Sequence, residues 1–259
     1  MESSPKSAAI ELSVLCEHLD TFLRVGEVPD YPNALNGLQV AGPATVRRIV
    51  VAVDAVQATI DAAVERGADL LLVHHGLFWD GDPRVTDRRY ARLKRLLDAN
   101  VAVYSAHLPL DVHPEVGNNA VLARALGVEI DGTFGAYRGF PIGVTGRLEM
   151  RREALVARLD DLLGGLVRLI PGGPERTSRV GVISGGAAGE IGAARAAGVD
   201  TFVTGEGAHH NYFDAEEGGI NLLLGGHYAT ETWGVRALAA HLEERFGLPW
   251  SFIDHPTGL

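Results

Sequence analysis

Histidine stands at or just past a run of strand-forming residues at three places in the sequence. His74 and His75 follow Leu70-Leu71-Leu72-Val73, His107 follows the apolar run 101–104, and His227 follows Leu222-Leu223-Leu224. Asp111 lies four residues beyond His107, and Glu231 four beyond His227. Residues i and i+4 share a helix face, so His227 and Glu231 can reach one ion from a first turn. Pro109 puts the His107–Asp111 pair on a turn instead. Three or four imidazoles with two carboxylates suit borderline divalent ions such as Zn, Mn, Fe, Co or Ni. Six donors are too many for one tetrahedral ion and suit two ions that share a carboxylate, with Glu231 the expected bridge. Neighbouring side chains on a strand point to opposite sides, so His74 and His75 are placed to serve different ions. The one cysteine, Cys16, excludes an internal disulfide and a thiolate-rich centre. An open site of nitrogen and oxygen donors is therefore expected, of the catalytic rather than the closed structural type.

Two further features compete for a chemical role. His209 and His210 follow the strand-like run 201–204 and are candidate general acid–base groups, able to pass a proton to a leaving nitrogen. The turn Gly185-Gly186-Ala187-Ala188-Gly189 could cradle a phosphate ahead of a helix. It lacks both G-x-G-x-x-G spacing and a P-loop lysine, and reads as a plain tight turn. His18 and His241 fall on helices with the ring toward solvent, His113 and His255 take no role, and Cys16 reads as a small buried hydrophobe.

These residues need a frame that brings strand ends together. Strands are expected over 49–53, 70–73, 101–104, 144–150, 180–183, 201–204 and 221–224. Helices are expected over 11–23, 55–66, 87–100, 152–163, 190–197 and 230–246, with Gly67 and Gly198 closing two of them. The alternation predicts an α/β fold of largely parallel sheets covered by helices, whose functional groups gather at the carboxyl ends of the strands. The pattern also repeats. Adding 131 to positions 49–75 aligns Val51/Val182, Ile60/Ile191, Ala62/Ala193, Ala63/Ala194, Gly67/Gly198 and Asp69/Asp200. An offset of 120 then aligns His107 with His227 and Asp111 with Glu231. Two similar lobes from an internal duplication follow, residues 1–130 and 131–259, with the metals between them.

The composition narrows the classes. With 46% hydrophobic residues in 259, the chain is globular, and its net charge of −10 argues against a general nucleic-acid binder. No apolar run approaches the ~20 residues of a membrane helix. Met1 to Ser7 is short and polar with no apolar core behind it, so no secretory leader is expected. The pairs Arg47-Arg48, Arg88-Arg89 and Arg151-Arg152 read as solvated faces, with patches for DNA as the alternative.

The segments Asn36-Gly37-Leu38-Gln39-Val40, 70–79 with His74-His75, Ser105-Ala106-His107 with Asp111, Thr204-Gly205-Glu206 and Gly225-Gly226-His227-Tyr228-Ala229-Thr230-Glu231 stand in the order seen in one family. From about Leu12 to Asp254 the chain resembles the NIF-three-like dinuclear metal-centre proteins, often called GTP cyclohydrolase I type 2 homologs. The resemblance implies ligands at His74, His75, Asp111, His227 and Glu231, with His107 close by, and two divalent metal ions per subunit. It also implies a two-lobed α/β fold, a ring-shaped homohexamer and a cytoplasmic location. At 259 residues the inserted middle domain of longer members is not expected. The expected function is metal-dependent hydrolysis of a small-molecule substrate, GTP by the family's label, through a metal-bound hydroxide formed near neutral pH. The alternative is a non-catalytic, metal-stabilised ring that binds a partner protein or DNA. Three departures stand out: Ala34-Leu35 for the family's Trp-Asp, Asn118-Asn119 for Asn-Asp, and Thr204-Gly205-Glu206 for Thr-Gly-Asp. None is expected to touch a ligand.

Overall fold

The computed structural model describes residues 9–259 apart from 82 and 166, so the segment read for a leader lies outside the described residues. In chain order come β1 (Ile10–Glu11), α1 (Leu12–Phe22), β2 (Gly37–Val40), β3 (Thr45–Val46), β4 (Ile49–Asp54), α2 (Gln57–Glu65), β5 (Leu70–His75) and α3 (Asp87–Ala99). Next are β6 (Ala102–Ser105), α4 (Leu108–Asp111), α5 (Asn118–Leu126), β7 (Glu129–Phe134), β8 (Gly143–Arg151), α6 (Arg152–Leu163) and β9 (Arg168–Pro171). The chain continues through β10 (Arg176–Val182), α7 (Ile191–Ala196), β11 (Thr201–Thr204), α8 (Asn211–Gly218), β12 (Asn221–Leu224), α9 (His227–Phe246) and β13 (Trp250–Phe252). Among the described residues no helix is long and apolar enough to cross a membrane.

One sheet has the order β13-β4-β5-β6-β2, parallel except for β2 at its margin. The other has the order β7-β8-β10-β11-β12-β9, where only β10, β11 and β12 run parallel and the outer pairings are antiparallel. Burial on both faces explains the unbroken apolar runs. Ile49, Val50, Val51 and Leu70 to Val73 are fully buried, as are Val203, Leu222 and Leu223. Gly67 and Gly198 sit at positive φ, as does Asn100, ending helices where a left-handed residue is needed. The mixed α/β fold agrees with the sequence reading, but the second sheet, with three of its five pairings antiparallel, departs from the largely parallel sheets expected.

The predicted lobes meet near residue 130. Contacts instead gather the described residues up to Leu110 with Val235–His255, and Asp111–Gly234 with Pro256–Leu259. The reason is β13, which returns to pair with β4, register Trp250↔Ile49. His18 and His241, expected to face solvent, meet in the first unit: their Nε2 atoms are 3.0 Å apart and both rings stack with Phe22.

Hydrogen bonding carries the repeat further than residue identity does. Asp69 Oδ2 accepts the amides of Arg47 (2.7 Å) and Arg48 (3.0 Å). At the same offset of 131, Asp200 Oδ2 accepts the amides of Ser178 and Arg179, both at 2.9 Å. The Asp69 amide donates to Arg48 O and the Asp200 amide to Arg179 O. In the following strand the offset is 119 rather than the expected 120, because Leu70 pairs with Ala102 while Thr201 pairs with Asn221. His107 is therefore the counterpart of Gly226, and His227 stands one residue further on.

Burial pushes the Asp200 carboxyl up, but bonds from Thr177, Ser178 and Arg179 outweigh it and hold the group below its usual range. Stability from such a group is complete above its unfolded pKa, near ~4, and is lost as pH falls through the lower folded value. Asp200→Asn is expected to lower unfolding free energy by about 2 kcal/mol at pH 7. Urea titrations should show the gap to wild type closing below about pH 4. A gap that persists undiminished in acid would mean that the carboxylate charge is not the stabilising element.

Candidate metal centre

In the first unit the imidazoles cluster because β5 and β6 are parallel neighbours that end together, Val73 opposite Ser105. His74, His75 and His107 each place a ring nitrogen within 4.8 Å of the others, a group able to hold a metal ion. His74 is fully buried, and the ring centroids of the three lie 4.6–5.7 Å apart. Each Nδ1 is engaged at 2.9 Å: His74 by Ala106 O, His75 by Asp54 Oδ1, His107 by Asp30 Oδ1. Such partners fix the proton on Nδ1 and make Nε2 the coordinating nitrogen. Asp54 is delivered by register, since it lies opposite His75 on β4.

The Asn-x-Leu-Gln segment proves to be scaffolding for these histidines. Asn36 Oδ1 accepts the His107 amide at 2.7 Å, while its Nδ2 donates to Asp30 Oδ2. Asp30 also accepts the amides of Tyr31 and Leu108. Burial raises its carboxyl, and bonds from His107, Asn36 and Tyr31 more than reverse that. Gln39 Oε1 accepts the Leu77 amide at 2.8 Å, and Gly76 passes so close that a Cβ there would collide with the Gln39 amide. Trp79 and Tyr31 wall the cluster, the Trp79 ring standing edge-on to His107 with 4.7 Å between centroids.

In the second unit α9 starts at His227, three residues before the expected boundary, so His227 and Glu231 are one turn apart on it. His227 Nε2 lies 3.2 Å from Glu231 Oε1, and its Nδ1 lies 2.9 Å from Glu206 Oε1. The hydrogen bond to Glu231 pushes the imidazole up to about 9 against the pull of burial, with Glu206 adding to the rise. A proton shared between an imidazole and a buried carboxylate occupies ground that a divalent cation takes over with proton release. The glycine-rich turn underlies this pair. Gly185 has φ +66, its amide donates to Thr230 Oγ1, and its carbonyl accepts the amides of Gly205 and Glu206. It is a scaffold for Glu206 and Glu231, in keeping with the tight-turn reading.

Asp111 ends the short helix α4, where a turn was expected; Pro109 is tolerated in a first helical turn. Its Oδ1 accepts from Asn118 Nδ2 (2.8 Å) and Ser184 Oγ (3.0 Å). Asn119 Oδ1 in turn accepts the Ser184 amide at 2.7 Å. Two of the family departures, none of which was expected to touch a ligand, thus lie at the site. Glu206 touches His227 directly, and Asn119 lies one residue, Ser184, away from Asp111.

The structure separates His209 from His210. His210 lines a cleft of about 400 Å³ with Gly186, Glu206 and Asn211. His209 lines another of about 470 Å³ with Arg168, Tyr212 and Phe213, standing edge-on to the Phe213 ring. Only His210 shares a cleft with a residue that holds a predicted ligand. Sequence reading missed Asp30, Asp54 and Glu206, the carboxylates behind three of the imidazoles. An acidic residue at a strand end opposite a histidine was the available signal for Asp54.

A doubled α/β chain with histidine and carboxylate groups at its strand ends, able to hold metal ions, is the class that fold and site define. Residues 10–257 match the family model Duf34/NIF3 (NGG1p interacting factor 3), and the chain belongs to this family. A Deinococcus radiodurans protein named GTP cyclohydrolase 1 type 2 homolog is 47% identical over 247 residues, covering 95% of this chain and 93% of its own. A solved structure of protein ybgI, described as of unknown function, superposes with a TM-score of 0.90 at 37% identity, covering 96% of this chain and all of that one. A Thermus thermophilus protein gives a TM-score of 0.86 at 42% identity, with the same coverage.

Proposed function

We propose that His74, His75, His107, Asp111, His227 and Glu231 together hold two divalent metal ions, and that the protein is a metal-dependent hydrolase of the GTP cyclohydrolase I type 2 kind. The observation that carries this is the treatment of the imidazoles: all four Nδ1 atoms meet a carbonyl or carboxylate oxygen at 2.9 Å. Histidines that bind metal are held in this way almost without exception. The donor set fits the group. Two ligand atoms on one ion, each ~2.1 Å from it, lie about 3 Å apart, which is the His227–Glu231 spacing of 3.2 Å. When bound, the ions would polarise the bond attacked and supply hydroxide at neutral pH.

The chain's own groups have distinct tasks in this reading. Asp30, Asp54 and Glu206 hold ring orientation and raise the donor strength of the imidazoles. Glu231 is the expected bridge. His210, solvent-exposed beside Glu206, is placed to donate a proton to the leaving nitrogen of a GTP-like substrate. The names carried by relatives support GTP as the first substrate to try. A homohexamer in the cytoplasm belongs to the same reading and rests on the family resemblance.

The test is metal analysis of protein purified without chelator, followed by a screen of GTP and phosphoesters with the metal found. Two ions per chain and GTP turnover are expected. His210→Gln should lower kcat by roughly 10²–10⁴-fold with metal content unchanged, and His209→Gln far less. Fewer than one metal per chain would overturn the dinuclear reading. A fully loaded protein that turns over nothing, while binding a protein or DNA partner, would favour the scaffold alternative.

A further inference from the structure

Helix α3 carries Arg88 and Arg89 side by side, a pair that reads from sequence as a solvated face, and Arg92 one turn beyond Arg88. Arg89 is accounted for: its guanidinium donates to Gly81 O and Pro83 O and lies 5.0 Å from the Phe78 ring centroid. Arg88 and Arg92 instead line a cleft of about 200 Å³ with Asp54, Val56, His75 and Trp79. Asp80 must serve several cations, at 3.6 Å from Arg88 and 3.8 Å from Arg89. Asp54 is engaged by His75. Among the described residues Arg92 has no ion pair, and its buried Nε has no hydrogen-bond partner. Burial, and then the charge of Arg88, lower its guanidinium, while the Asp80 carboxylate, which also lines the cleft, raises it by less.

A half-buried guanidinium beside a like charge is costly unless an anion joins it. Arginine suits phosphate through its forked donors.

We propose that Arg88 and Arg92 bind a phosphate group of a small-molecule substrate whose reacting end lies at His75. The second half of this statement rests on the hydrolase reading above; the phosphate site does not. A cleft of this size takes one or two phosphates. The arginines are positioning residues: they fix where the substrate's charged end sits and touch no reacting atom.

Pyrophosphate binding, measured by titration calorimetry before and after chelator treatment, tests the site. Arg92→Gln and Arg88→Gln are each expected to weaken binding by roughly tenfold or more, since a hydrogen bond to a charged group is lost. Metal content should not change. Arg168→Gln, in a separate cleft, should bind as wild type does. Arg88 is largely exposed, so Arg88→Gln keeps the test decisive should Arg92→Gln fold poorly. Wild-type affinity in Arg92→Gln and Arg88→Gln would overturn the proposal, as would binding that chelator abolishes equally in every variant. Tighter binding of a DNA duplex through the same two arginines would overturn the small-molecule assignment. Pyrophosphate bound through Arg92 by a protein that turns over no GTP would uphold the site and reject only the hydrolase reading.

Discussion

Alanine in place of His75 is expected to strip metal from the protein while leaving the fold in place. The fold should survive because β5 is anchored by Leu70 to Val73, all fully buried, and because the backbone carbonyl of residue 75 still accepts the Ala55 amide. The metal should not survive, because the imidazole is one of three converging ring donors. Removing an outer partner of a ligand typically weakens metal binding by roughly 10–100-fold, and removing the ligand itself should exceed that. Asp54→Asn supplies the comparison: it removes the carboxylate 2.9 Å behind His75 and should fall within that range. Metal per chain by elemental analysis, beside far-ultraviolet circular dichroism, reads both effects. A full metal complement in His75→Ala would remove His75 from the ligand set.

Gly185→Ala is expected to damage stability and the Glu231 position together. The residue has φ +66, a region that costs a non-glycine residue roughly 1–2 kcal/mol. A Cβ there would collide with Glu231 Oε1, adding an overpacking penalty of about 1–3 kcal/mol or driving the carboxylate away from His227. Either outcome lowers the urea midpoint or the metal content, and the sum of the two losses is the expected signature. Gly189→Ala, four residues on, is the control. Its Cβ would meet nothing within 4 Å and its φ is not positive, so a change within about 0.5 kcal/mol is expected. Wild-type stability and metal content in Gly185→Ala would show that Glu231 is not held by this turn.

The candidate histidines were legible because parallel strands buried on both faces leave unbroken apolar runs that stop abruptly at a histidine. Six helices were legible from their period and, for three of them, from Gly67, Asn100 and Gly198 at their ends, whereas α5 and α8 were not expected. Three kinds of feature were not legible. Glu129–Phe134 is largely exposed and Trp250–Phe252 is three residues long, so neither β7 nor β13 shows a periodic signal. Without β13, nothing in the sequence says that the chain returns to its first sheet. Asp30 and Glu206 are single carboxylates in irregular segments, and their roles arise from contacts 77 and 21 residues away in the chain. The repeat offset reads one too high from sequence because the histidines themselves serve as the alignment anchor. Strand register, which needs the backbone, corrects it.

The return of β13 to β4 has a consequence for biosynthesis. The first sheet has Ile49, Val50 and Val51 in its interior, yet the strand that covers one side of β4 is about 200 residues downstream. At about 5–20 residues per second, a ribosome needs roughly 10–40 s to translate that interval. Throughout it, the nascent first unit carries an apolar strand edge with no partner, while residues 111–234 have been delivered in one uninterrupted block. The block between can close upon itself first. The order of completion is then the reverse of the order of synthesis, and β4 keeps one edge open until β13 arrives.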